Sequence, residues 1–192
     1  MPWDELALPV SWNQLIASNE GRPVPTRKPV HPPKPSFASL RFREEAGEAL
    51  RRVVAHLEER YGDRIFGYVT GGGPCGEWFH WHADEARMMD TSDLMLSAFQ
   101  KHLQNQYGDV ASLNHAWHTH HCDFADITLP TPEQRFLPAQ GNLRSAISER
   151  SVLDFYDAYH QTVADTLLHW TAQTKEGCAR RKVVMVFYGY LW

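Results

Sequence analysis

Glu77 is the side chain whose surroundings best suit acid–base chemistry. It lies in the loop from Gly71 to Trp78, which contains four glycines and follows the β-prone run Arg64–Thr70. In α/β barrels and open sheets, active sites form at the carboxyl ends of the strands, where such loops sit. A carboxyl pressed against an aromatic ring loses hydration, so its pKa rises and it can serve as a general acid. Glycines let the backbone turn sharply and approach a ligand. The competing reading is a surface glutamate beside a packing tryptophan.

Aromatic rings come second. Trp78, Phe79 and Trp81 follow Glu77, and Tyr188, Tyr190 and Trp192 end the last β-prone run. Flat rings with polar edges suit stacking on sugar faces, although core packing is the commoner use of any single ring. Histidines come third. His115, His118, His120, His121 and Cys122 crowd one stretch, and His80 and His82 flank Trp81. Metal ligands cluster in this way, which makes a metal-dependent hydrolase using His118–Cys122 one reading. No HExxH or CxxC completes the pattern, so no metal or cofactor is expected. Asp84, Glu85, Asp90 and Asp93 read as a solvated stretch and a helix start. There is no GxSxG, P-loop or Rossmann fingerprint.

Composition narrows the classes. The chain has 192 residues, 43% hydrophobic and 22% charged, which is ordinary globular usage. Net charge is −4 with no long basic run, so nucleic acid is not an expected partner. No apolar run approaches a membrane span. Cys75, Cys122 and Cys178 are an odd count and widely spaced, so they imply no disulfide framework. Residues 1–13 lack the basic and apolar regions of a secretion signal, which leaves the cytoplasm as the default expectation. A homo-oligomer is compatible with all of this.

The elements that must position these residues read as α/β. Residues 1–38 hold eight of the 12 prolines and form a Pro-rich loop segment, in which Trp3 and Trp12 need a surface to pack on. Residues 39–192 form the α/β part. A helix is expected from Ser39 to Tyr61, with Phe42, Ala46, Leu50, Val53, Val54, Leu57 and Tyr61 on one face. Glu44 and Glu45 are placed near its start, and Gly62 stops it. Arg64–Thr70 is expected to be a buried parallel strand. A second helix spans about Ser92 to Tyr107 and ends at Gly108, and Asp109 caps a short third one. Residues 118–150 read as a long irregular excursion. A fourth helix runs from about Val152 to Lys175, with Ser151 and Asp154 as a capping pair. Lys182–Tyr190 is a second buried strand.

Three stretches resemble the catalytic barrel of a clan A glycoside hydrolase, family 42 and β-galactosidase-like. Tyr61-Gly62-Asp63-Arg64 through Ile65–Tyr68 to Gly76-Glu77-Trp78 is similar to the fourth barrel strand and its acid/base glutamate. Gln106–Val110 to Leu113–Trp117 resembles the family's "YG…LN.AW" segment. Asp154-Phe155-Tyr156 through the long helix to Val184–Tyr190 resembles the next helix and the fifth strand. The family usually carries Asn directly before the acid/base glutamate, where it holds the sugar 2-hydroxyl; this chain has Gly76. The family's metal-binding cysteine cluster is not visible.

The resemblance implies a partial (β/α)8 TIM barrel over roughly residues 36–192, a carbohydrate substrate, and Glu77 as general acid/base. Trp78, Tyr188, Tyr190 and Trp192 become sugar-platform candidates. In such families the nucleophile is a glutamate on the seventh strand, and by strand count this chain reaches the fifth. Retention needs two carboxyls about 5–5.5 Å apart, so the chain is expected to be inactive alone. The rival within the resemblance is a carbohydrate-binding barrel homologue without catalysis.

Overall fold

A computed structural model describes residues 35–72, 78, 90–136 and 143–188. Glu77, Tyr190 and Trp192 lie outside the described residues, as do Phe79, His80, Trp81, His82 and most of the Pro-rich segment.

Helix α1 (Leu40–Tyr61) begins where the Ser39 hydroxyl accepts from the Phe42 amide and stops at Gly62. Its buried stripe is Phe42, Ala46, Gly47 and Val54, narrower than the periodicity implies, and Tyr61 is exposed. The first turn carries no acid. Glu45 pairs with Arg41 instead of facing the helix dipole, at 2.8 Å.

Strand β1 (Gly67–Val69) is followed by helix α2 (Asp93–Tyr107), capped by Ser92, and helix α3 (Val110–Trp117), capped by Asp109. The junction of α2 and α3 turns through Gly108 at φ 76°, a left-handed conformation that glycine adopts without strain. A short helix α4 (Pro132–Phe136) precedes the long helix α5 (Arg150–Gly177). The chain then returns as strand β2 (Val183–Met185), parallel to β1, with Gly67 opposite Val183 and Val69 opposite Met185.

The α1–α5 pair is the principal helix contact. The Trp170 indole donates to the Arg43 carbonyl at 2.9 Å, and Arg43 donates to the Thr166 hydroxyl at 3.1 Å. At Gly177 an added Cβ would lie 2.6 Å from the Arg51 carbonyl oxygen, so the bare Cα lets the two helices close. Further along α5, Phe155, Tyr159 and Val163 meet Met95, Phe99 and Leu103 of α2 and Leu113 of α3 in one core.

The strands depart from expectation. Phe66 is 80% exposed, Val69 53% and Met185 49%. The sides turned to the helices are covered: the Tyr68 hydroxyl donates to Glu58 at 2.7 Å, and Val186 packs on the core. Alternate side chains point to opposite faces of a strand, and here the helix layer covers one face only. At the start of β2, Lys182 donates to the Gly62 carbonyl at 2.6 Å, tying the amino-terminal ends of the strands to the end of α1.

Candidate functional site

The carboxyl end of β1 is held by short-range bonds. The Thr70 amide donates to the Met185 carbonyl at 3.0 Å, which extends the parallel ladder by one residue. The Thr70 carbonyl accepts from the Trp78 indole at 3.0 Å. Gly72 lies against the same indole; a Cβ there would sit 2.5 Å from the ring. Trp78 is 2% exposed, with Phe37 stacked on it at 5.9 Å and Trp170 at 5.3 Å. Its faces are occupied by protein, so Trp78 serves the core and not as a sugar platform. The consequence for the site is positional. The connection that leaves β1 at Thr70 is back beside Thr70 at Trp78, the residue directly after Glu77.

The far end of the same connection is pinned as well. Asp90 is fully buried, accepting from the Ser36 hydroxyl at 2.5 Å and from the Ser92 amide at 3.0 Å. It is therefore no part of a solvated stretch. Its bond to the Ser92 amide makes an Asx turn that leads the chain into the Ser92 cap of α2. The Asp-x-Ser spacing is the signal that could have revealed it.

Asp154 is the largest revision. It does not cap α5, whose N-cap is Glu149. It is fully buried one turn into the helix, and both carboxylate oxygens take two donors. Oδ2 accepts from the Tyr107 hydroxyl at 2.6 Å and the Trp117 indole at 2.8 Å. Oδ1 accepts from Arg150 at 2.9 Å and Gln106 at 3.1 Å. Four donors offset the cost of burying a charge. Burial, followed by this bond to Asp154, raises the Tyr107 pKa, with Arg150 opposing. The "YG…LN.AW" segment is thus a structural device. Tyr107 and Trp117 close on one carboxylate, Gly108 makes the turn between them, and Leu113 fills the core.

Asn114 of the same segment organises the histidine-rich loop. Its side chain donates to the His121 carbonyl and accepts from the His121 amide, both at 2.8 Å. It also accepts from the Thr119 hydroxyl at 3.0 Å, while His118 turns at φ 56°. The His121 ring meets Trp117 edge-on. Among the described residues, no three His, Cys, Asp or Glu side chains group as a metal would require.

Tyr188 lies past β2, 41% exposed, and its hydroxyl donates to the His160 carbonyl at 3.2 Å. It lines a groove of about 470 Å³ with His102 and Gln106 of α2 and Asp157, His160 and Gln161 of α5. Burial raises the Tyr188 pKa. Burial also lowers that of His160, against the nearby Asp157 charge. The structure does not bring Tyr188 and Trp78 to a common surface. No described helix is long and apolar enough to cross a membrane.

The glycoside hydrolase family 42 model, described as beta-galactosidase, matches residues 25–188. The crystal structure of a beta-galactosidase from the psychrophilic Marinomonas ef1 is similar at TM-score 0.58 and 23% identity, over 91% of this chain and 24% of that one. The catalytic domain of a beta-amylase from Paenibacillus polymyxa is similar at TM-score 0.68 and 19% identity, over 92% of this chain and 42% of that one. Both neighbours are TIM-barrel glycosidases, and the strand–helix–strand arrangement described here is a part of such a barrel. The chain spans about a quarter of the galactosidase and under half of the amylase domain. No curated protein sequence matches it.

Proposed function

This chain belongs to glycoside hydrolase family 42, and from that premise we propose that it is the portion of a retaining β-galactosidase-like barrel that carries the general acid/base, Glu77. The observation that carries the reading is the Trp78–Thr70 bond of 3.0 Å. Trp78 follows Glu77 directly in the sequence, and this bond ties Trp78 to Thr70, the residue after β1, which supports reading Glu77 as a group at the carboxyl end of the strand. That end is where barrel enzymes place their catalytic groups. In this reading the protonated carboxyl gives its proton to the leaving oxygen as a general acid.

Two carboxyls are required for retention, one as nucleophile and one as acid and then base. In this reading the nucleophile comes from a later barrel strand, and residues 1–192 alone turn over no glycoside. Tyr188, Tyr190 and Trp192 remain the aromatic candidates for contacting the sugar. The test uses aryl β-galactosides with a form of the protein that includes the remaining barrel strands. Glu77→Ala is expected to lower kcat by roughly 10²–10⁴, the usual contribution of a general acid, with partial recovery on adding azide. Full activity in Glu77→Ala would overturn the assignment.

One sequence observation favours a second reading. Gly76 stands where the family usually has the Asn that holds the sugar 2-hydroxyl. In this second reading the barrel, lacking that contact, binds carbohydrate without cleaving it. Binding of oligosaccharides by calorimetry, with no turnover in that same form, separates this reading from the first.

A further inference from the structure

Ser36 and Phe37 make contacts that the proposed chemistry does not account for. Both side chains are buried, at 0% and 2% exposed. The Ser36 hydroxyl donates to Asp90 at 2.5 Å, and the Phe37 ring stacks on Trp78 at 5.9 Å. Neighbouring residues of one short segment therefore reach two points of the β1–α2 connection that are twelve positions apart. The segment itself is anchored. The Phe37 carbonyl is 3.1 Å from the Thr166 hydroxyl of α5, and the Ser36 carbonyl accepts from the Ser39 amide at 3.1 Å, at the cap of α1.

We infer that Ser36 and Phe37 are positioning residues: they form a strap that holds the Glu77-bearing connection at Trp78 and at Asp90, against the rigid α1–α5 pair. The inference rests on the reading of Glu77 as acid/base only for its functional meaning; the mechanical claim stands on the contacts. A buried hydroxyl opposite a buried carboxylate has no water to replace it. Deleting it leaves Asp90 Oδ2 without that donor and favours release of that end. Phe37 acts separately, because Trp78 also leans on Trp170 and donates to Thr70.

Hydrogen exchange on the full chain, read by mass spectrometry, tests the strap. Ser36→Ala is expected to speed exchange about five- to tenfold in peptides covering residues 88–92, with peptides from the middle of α1 and α5 unchanged. Phe37→Leu should instead speed exchange around residues 70–78. Ser36→Ala in an Asp90→Ala background should add nothing further, since both remove the same bond. Uniform acceleration across the chain, or no change in either peptide, would overturn the inference and reduce the segment to ordinary packing. Neither result depends on whether Glu77→Ala loses activity, so the strap and the acid/base assignment can fail separately.

Discussion

The α1–α5 pair and the β1–β2 pair contain similar apolar residues, yet their side chains end in different places. Across the helices, Phe42 and Trp170 meet edge-on at 5.1 Å, and both are nearly inaccessible to water. On the strands Val69, Val183 and Met185 are exposed, as are Phe66 and Phe187 beside them. An amphipathic helix needs one partner for one stripe. A strand of a parallel sheet has two faces and two hydrogen-bonded edges, and among the described residues β1 and β2 pair only with each other. Among the described residues the helix layer thus closes one core, while the sheet leaves apolar side chains exposed where a full (β/α)8 barrel has further strands.

The largest expected effect tests the closed side. Asp154→Ala strands the Tyr107, Trp117 and Gln106 donors and removes the carboxylate that Arg150 pairs with. The loss should be about 3–5 kcal/mol in urea denaturation. Asp154→Asn, which keeps an acceptor, should cost less. A cost for Asp154→Ala within about 0.5 kcal/mol would mean that water replaces the carboxylate and the hub is not closed.

Next is Trp170→Ala, which removes the ring shared by Phe42 and Trp78 and should cost about 3 kcal/mol. Its effect should extend to the Trp78 end of the β1–α2 connection, seen as faster exchange there. The open side predicts the reverse. Met185→Lys, on a half-exposed strand residue, should change the stability of this chain by no more than about 0.5 kcal/mol. A large loss would show that the strand face is covered after all.

The smallest effect is alkaline. Burial first, then the bond to Glu58 and its charge, raises the Tyr68 pKa well above its usual value. A raised folded-state pKa contributes stability that is present below the unfolded value of about 10 and is lost as pH rises beyond it. Tyr68→Phe should flatten that alkaline limb above about pH 10, measured by urea titration at each pH. An unchanged limb would assign the loss to other groups, Tyr107 first.

The helices were readable because their signals are local. Ser39, Ser92 and Asp109 cap where capping residues are expected, and Gly62 and Gly108 stop where glycine is expected. The distant partners of Asp90 and Asp154 were not readable. Both aspartates have the neighbours of an ordinary helix start, and their partners lie far along the chain at Ser36 and at Tyr107 and Trp117. Trp78 illustrates the same limit: a tryptophan next to a glutamate has one spelling whether its ring meets a sugar or Phe37.

Taken alone, the sequence determined the order of the main helices and the two strands, the boundaries of those helices to within a few residues, and the family, because caps, glycine stops, periodicity and motif spacing are properties of neighbouring residues; it missed α4, which lies in the stretch read as irregular. Only the tertiary structure decided which polar groups are buried and which rings are free. Burial depends on what long-range packing brings together, and here it turned a capping pair into a four-donor hub and a sugar platform into part of the core.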